Sequence, residues 1–449
     1  MKQAKQFFLT ALALFLALAH ANAAEGQPQN GRIVVAYIAG WTTGELPNPR
    51  LMTHINYAFG HVAKTFDRME IQNPEMLKRV VDLRKGNPSL KVVLSVGGWT
   101  SGNFSEMAAS SRLRKAFAKS CLQAVKDYNL DGIDIDWEYP TSSEAGISSS
   151  PDDTRNFTLL LRDLRKALGK ARLLTIATIA DAKFVDFKAC MRYLDYVNIM
   201  AYDVANPPKH HTTLFRSALS GRITVAEAVD AHLKAGVPAR QLCLGMPLYG
   251  RGDHANKTLD KYMKTGRTGG KYVEQWDSVG QVPYLVDSTG TLVWGFDNPR
   301  SIAAKCQFII DKGLLGGMYW ETTEDNAQQD LMQTVWLSLL KNGKGTMPMR
   351  RVLLLDAAAE ELAKGWLEAN KDQVGRGYDI TVFTPDDYVP GYFDRFHMII
   401  AADEGWKKLG DAQVKELSRY EKACRGSLVQ LNRFLKKSLL EMFKCHGGY

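Results

Sequence analysis

Apolar side chains recur along this chain in short, nearly continuous runs, each followed by a longer stretch in which they return every three or four positions. The runs are IVVAYIA from Ile33, HINYAFG from His54, LKVVLSVGG from Leu90 and GIDIDWEY from Gly132, then LLTIATIAD from Leu173, YVNIMAYD from Tyr196, LCLGMPLYG from Leu242 and LLGGMYWE from Leu314. A run that is apolar on both parities suits a parallel strand covered on both faces. Between them, NPEMLKRVVDLRKG, RLRKAFAKSCLQAVKDY, DDTRNFTLLLRDLRKALGK, TVAEAVDAHLKAG and SIAAKCQFIIDKG have the period of helices with one buried stripe. QDLMQTVWLSLLKNG is the last of these, with Gly343 as its stop. Eight strands alternating with helices predict a (β/α)8 TIM barrel over residues 24–345.

The rhythm breaks from Gly250 to about Thr291, where the chain carries TGRTGGKY and a possible hairpin, YLVDSTGTLVWGF. This reads as a short insertion after the seventh strand. Beyond Lys344 the strand-like RRVLLLDA, DITVFTP and HMIIAADEG accompany the helical AEELAKGWLEAN and DAQVKELSRYEKAC. They predict a small C-terminal α/β domain over residues 346–449. It has no glycine fingerprint, P-loop or catalytic cluster. His397 and His446 read as ordinary polar residues, and Trp406 as a position from which the domain would extend a substrate surface.

The N-terminal MKQAKQFFLTALALFLALAHANA places Lys2 and Lys5 before a short apolar run and ends in Ala21-Asn22-Ala23. It reads as a secretory signal peptide cleaved after Ala23, with export to the periplasm or beyond and no membrane span afterwards. The net charge of +9, or +7 without those two lysines, accompanies no basic run interleaved with aromatics, so no nucleic-acid partner is expected. The six cysteines form no CxxC pattern. Cys121, Cys190 and Cys306 fall in helical patterns and Cys243 in a strand, as small apolar core residues. Whether Cys424 and Cys445 pair is open at this level.

The fourth run holds the chemistry. LDGIDIDWEYP packs four carboxylates among apolar neighbours, although a buried carboxylate costs several kcal/mol unless paired or protonated. Residues two apart in a strand share a face, so Asp134, Asp136 and Glu138 line one side, with Glu138 at the C-terminal end. In a barrel that side points inward, and that end carries catalysis. Asp131 has the other parity and a structural role. Three acids so close cannot all ionise cheaply, so the arrangement keeps one protonated, as a general acid requires. An exposed acidic strand would also put Ile133, Ile135 and Trp137 into water. An oxygen-rich metal site would lack both the EF-hand layout and a histidine, so no metal and no cofactor are expected.

DGIDIDWEYP resembles the DxxDxDxE signature of glycoside hydrolase family 18, the chitinases and their relatives. LSVGGWT is similar to the family's SxGG motif, with Ser95, Gly97, Gly98 and Trp99. NIMAYD matches the motif with Met200, Tyr202 and Asp203, GMPLYGR that with Tyr249 and Arg251, and GGMYWE places Trp320. AYIAGW and NYAFG add Tyr37, Trp41 and Phe59. The match runs from about Ile33 to Asn342 and leaves out the C-terminal unit.

The resemblance implies catalysis assisted by the substrate's own acetamido group. Glu138 is then the acid and base, Asp136 orients the acetamido N–H, Asp134 shares a proton or hydrogen bond with Asp136, and Tyr202 donates to the acetamido oxygen. Tyr37, Trp41, Phe59, Trp99, Met200, Asp203, Tyr249, Arg251 and Trp320 are the implied sugar contacts, with Trp320 as the floor. The implied partner is a polysaccharide or oligosaccharide containing N-acetylglucosamine. The insertion is short beside the large α+β module of processive members, which implies a more open cleft. VANPPKHH, after Tyr202-Asp203, fits no pattern. An endo-β-N-acetylglucosaminidase acting on N-glycan cores shares the fold and mechanism. A chitin-binding lectin of the family commonly lacks the terminal acid that Glu138 supplies here.

Overall fold

The computed structural model describes residues 31–44, 46–252, 272–326 and 329–341 and, further on, 350–356, 360–369, 378–383, 398–402, 409–422 and 427–431, with single positions between them. The leader at 1–23, residues 265–271 of the insertion, Gly343, His397, Trp406, Cys424, Cys445 and His446 lie outside the described residues.

The eight expected strands form one closed parallel ring. They are β1 (Ile33–Ala39), β2 (His54–Val62), β4 (Lys91–Gly97), β5 (Gly132–Asp136), β6 (Leu173–Ile179), β7 (Tyr196–Met200), β8 (Leu242–Pro247) and β13 (Gly316–Trp320). Each pairs with its neighbour in chain order, and β13 returns to β1 to close the barrel. A short β3 (Met69–Ile71), absent from the sequence expectation, lies antiparallel on the end of β2.

The helices are α1 (Pro74–Asp82), α2 (Phe104–Ala109), α3 (Ser111–Asp127), α4 (Asp153–Leu168), α5 (Phe187–Cys190), α6 (Val225–Ala235), α7 (Pro299–Asp311) and α8 (Asp330–Leu340). The one- or two-turn α2 and α5 are too short to show a helical period, so the pattern did not reveal them. Local chemistry starts the longer ones. Thr224 and Glu227 make a reciprocal capping box on α6, which stops at Gly236 with φ of 106°. Asn298 and Ser301 do the same for α7, with Pro299 in its first turn. Cys121, Cys190, Cys243 and Cys306 are buried free thiols within their expected elements.

Two apolar layers result. Ile133, Ile135 and Trp137 face the helices, where the Trp137 ring stacks on Phe104 at 5.2 Å and meets Phe157 edge-on. Val35, Tyr37, Ala58, Tyr196, Cys243 and Met318 pack inside the ring. Asp131 closes the N-terminal rim, where its carboxylate accepts from Arg84 Nη2 at 2.5 Å, Lys91 Nζ at 3.1 Å and the Val92 amide at 2.8 Å.

The insertion is more than a hairpin. β9 (Arg251–Gly252), β10 (Val273–Asp277), β11 (Val282–Val286) and β12 (Leu292–Gly295) form a four-stranded antiparallel sheet in the order β10-β11-β12-β9. Its centre is the expected hairpin. The C-terminal unit has a parallel sheet of β14 (Arg350–Leu354), β15 (Tyr378–Val382), β16 (Met398–Ala402) and β17 (Ser427–Leu431), ordered β15-β14-β16-β17, together with α9 (Glu360–Ala369) and α10 (Asp411–Lys422). Among the described residues no helix is long and apolar enough to cross a membrane.

Candidate active site

The acids of β5 stand in a column that rises to the C-terminal mouth of the barrel. The strand ends at Asp136, so Glu138 continues its alternation two residues beyond the last ladder position. Asp134 is fully buried and accepts three hydroxyl hydrogen bonds: from Tyr37 at 2.7 Å, Ser95 at 2.8 Å and Thr175 at 2.6 Å. The ladder registers explain these contacts, because Ser95 and Thr175 are the cross-strand partners of Asp134 on β4 and β6. Burial holds Asp134 above the usual carboxyl range, and the three hydroxyls offset part of that rise.

The hydroxyl trio binds Asp134, and Asp136 keeps a buried Oδ1 with no partner among the described residues. Burial, then the charges of Glu138 and Asp134, push Asp136 well above the usual carboxyl range. Burial raises Glu138 to about 7, with Asp203 adding to the rise and a hydrogen bond from Tyr139 opposing it. The Tyr139 hydroxyl donates to Glu138 Oε2 at 3.0 Å. Neither Tyr139 nor Thr175 was singled out from sequence. Tyr139 lies beside the signature, but nothing in the pattern showed that its ring turns back toward Glu138.

Aromatic side chains surround this column. Trp320, the last residue of β13, stacks on Phe59 at 5.6 Å and 20° and leans on Tyr37 and Trp41. Trp41 and Trp99 are 58% and 55% exposed, a large apolar area left open to solvent in a pair of rings flanking one mouth. Trp99 meets Tyr139 edge-on, and Tyr139 stacks on Phe184. Tyr37 and Phe59, expected among the sugar contacts, are both buried. Tyr37 serves Asp134 and Phe59 backs Trp320. Met200 packs against the interior cluster at the end of β7.

The Tyr202 ring meets Tyr249 at 6.2 Å, and its hydroxyl lies 4.0 Å from Met318 Sδ, a weak acceptor. That leaves a strong donor available at the acidic column. On the adjoining wall Arg251 grips Asp203 with two hydrogen bonds of 2.7 and 2.6 Å. Burial alone would raise Asp203; the Arg251 bonds, with help from His211, outweigh it and hold the carboxylate well below the usual range. His211 belongs to VANPPKHH, the segment that fitted no pattern. Among the described residues no group of three or more His, Cys, Asp or Glu is placed to hold a metal ion.

A closed (β/α)8 ring with an acidic column at its C-terminal mouth and an aromatic floor above it has the architecture of a glycoside hydrolase barrel. The chain belongs to the Glycosyl hydrolases family 18, whose sequence profile matches residues 33–325. It is 34% identical to chitinase A1 of Niallia circulans over 291 residues, 54% of this chain and 42% of that protein, so it spans less than half of that relative. Among solved structures it is similar to a family 18 N-acetylglucosaminidase from Paenibacillus barengoltzii, with a TM-score of 0.63 and 35% identity over 69% of this chain and all of the other. It is also similar to an Ostrinia furnacalis group IV chitinase solved with allosamidin, with a TM-score of 0.61 and 26% identity, covering 69% of this chain and 99% of that one.

Proposed function

We propose that this protein is an exported, retaining glycoside hydrolase that cleaves β-1,4-linked N-acetylglucosamine chains with assistance from the substrate's acetamido group. The observation that carries this reading is the buried Oδ1 of Asp136, which has no partner among the described residues, beside a Glu138 carboxyl raised to about 7. An orphan acceptor in a closed site calls for a donor from the ligand, and an acetamido N–H is one. As the acetamido carbonyl oxygen attacks the anomeric carbon, the glycosidic C–O bond breaks and the departing oxygen takes the Glu138 proton. Asp136 accepts the N–H and balances the oxazolinium charge, while Tyr202 donates to the acetamido oxygen. Water then attacks the anomeric carbon and gives a proton back to Glu138. The ring C–O bond of the oxazolinium breaks, and the acetamide is restored.

Two displacements at one carbon return the β configuration. Proton NMR of fresh chitotetraose digests should therefore show β-anomer first; α-anomer first would exclude the mechanism. The same digest separates two product patterns. Cleavage within the chain gives chitobiose early. Release of single N-acetylglucosamine units would follow the kinship with the Paenibacillus N-acetylglucosaminidase. A high-mannose glycoprotein assayed in parallel tests the N-glycan alternative.

The acid step needs Glu138 protonated. Because burial raises its carboxyl to about 7, the competent form is fully present well below that pH and is lost as pH rises through it. We expect kcat/KM on chitotetraose to fall between about pH 6 and about pH 8, approaching tenfold per unit above the midpoint. A profile flat beyond about pH 9 would show that Glu138 is not the proton donor.

A further inference from the structure

His211 lies directly behind the wall that carries Asp203. Its imidazole is fully buried; Nε2 has no hydrogen-bond partner among the described residues, and Nδ1 faces the Asp203 carboxylate across a contact of 3.5 Å, long for a hydrogen bond but close enough to help hold Asp203 ionised. Leaving one ring nitrogen unsatisfied and the other poorly paired in a packed interior is costly, so such a group calls for a cause. The ring is held on both sides, by His210 at 5.5 Å and Tyr249 at 5.6 Å. The backbone beneath it is pinned as well. His210 Nε2 donates to the carbonyls of Pro283 and Phe296 in the inserted sheet at 3.0 and 3.2 Å, while its Nδ1 accepts from the Thr212 amide at 3.1 Å. Thr212 donates to the Ala201 carbonyl and accepts from the buried Lys305, which pairs with Asp297 at 2.5 Å. His211 is therefore a rigid post with one face toward the cleft.

That face meets Asp203. The 3.5 Å between His211 Nδ1 and Asp203 Oδ1 is long for a hydrogen bond, because the Asp203 carboxylate turns its oxygens to Arg251 at 2.7 and 2.6 Å. Arg251 is the mobile partner by chemistry: it is 46% exposed at the mouth, on a long side chain whose donors suit sugar hydroxyls. We propose that His211 is a positioning residue for Asp203. It donates Nδ1–H to Oδ1 when a bound sugar draws Arg251 away, so that Asp203 stays aimed into the cleft. That bond gives Nδ1, one of the two ring nitrogens, an aligned acceptor. This inference rests on the proposed function only in taking Asp203 and Arg251 as the wall that a sugar touches.

Three variants of the full chain test it on chitotetraose. Asparagine places an amide donor where Nδ1 stood, glutamine places it near Nε2, and phenylalanine keeps the ring packing without a donor. His211→Phe and His211→Gln should raise KM about tenfold, the scale of one hydrogen bond to a charged group, with kcat changed less than about threefold. His211→Asn should recover KM to within about threefold. In an Asp203→Ala background, His211→Phe should cost nothing further, because the partner it positions is gone. Equal losses in the asparagine and glutamine variants, or an undiminished His211→Phe effect without Asp203, would reduce His211 to packing and overturn the proposal. The asparagine–glutamine contrast decides the matter even if the phenylalanine variant does not fold. A wild-type protein that neither binds nor cleaves chitotetraose would fail the functional reading instead, a result distinct from any of these.

Discussion

Replacing Glu138 with glutamine is expected to lower turnover of chitooligosaccharides by about 10²-fold or more, while the oligosaccharides still bind. Glutamine keeps the size of the side chain and an oxygen that can accept from the Tyr139 hydroxyl, now 3.0 Å from Oε2, but it carries no transferable proton. The aromatic floor and flanking rings, Trp320, Trp41 and Trp99, are unchanged, so calorimetric affinity for chitotetraose should lie within about threefold of wild type. The two readouts must separate. A variant that turns over at near the wild-type rate would remove Glu138 from the reaction. One that loses binding and turnover together would point to collapse of the mouth rather than loss of an acid.

Gly97→Ala should be nearly as damaging, although Gly97 has no side chain to offer the substrate. A Cβ at this position would sit 1.9 Å from the Asp136 carbonyl oxygen and 2.6 Å from its carbon, both backbone atoms that cannot swing aside. The residue also has φ of 130°, a region that L side chains rarely adopt. Gly97 pairs with Asp136 in the ladder, and the next amide, Gly98, donates to that carbonyl at 2.8 Å. Any shift that relieves the clash moves the strand that carries Asp134, Asp136 and Glu138. We expect a stability loss of at least about 3 kcal/mol in urea unfolding, with activity reduced well beyond the loss of folded protein. An alanine variant with a wild-type midpoint and rate would mean that β4 and β5 part without consequence for the acids.

The fold was legible in the sequence because its signal is repetitive. Eight apolar runs alternating with amphipathic stretches admit few architectures, and parity along GIDIDWEY by itself separates the acids from Ile133, Ile135 and Trp137. The inserted sheet was legible only as its central hairpin. The pairing of β9 with β12 joins Arg251–Gly252 to Leu292–Gly295 across a long interval, and no local pattern encodes such a contact. The short α2, α5 and β3 span too few residues for a period to appear.

The same division runs through the site. Residue types and spacing along one strand determined the column Asp134, Asp136 and Glu138, because alternation is a property of the backbone itself. Which partner each acid takes was decided by tertiary structure. Asp134 is bound by hydroxyls from β1, β4 and β6 because barrel closure sets their register against β5, and Asp136 Oδ1 has no partner among the described residues. The resemblance implies Tyr37 and Phe59 as sugar contacts, and only the folded chain shows that one also binds Asp134 and the other stacks on Trp320. His211 was unreadable for the same reason. Its neighbours in the chain say little, and its meaning comes from Asp203, Tyr249 and the inserted sheet, which only the folded chain brings to one point.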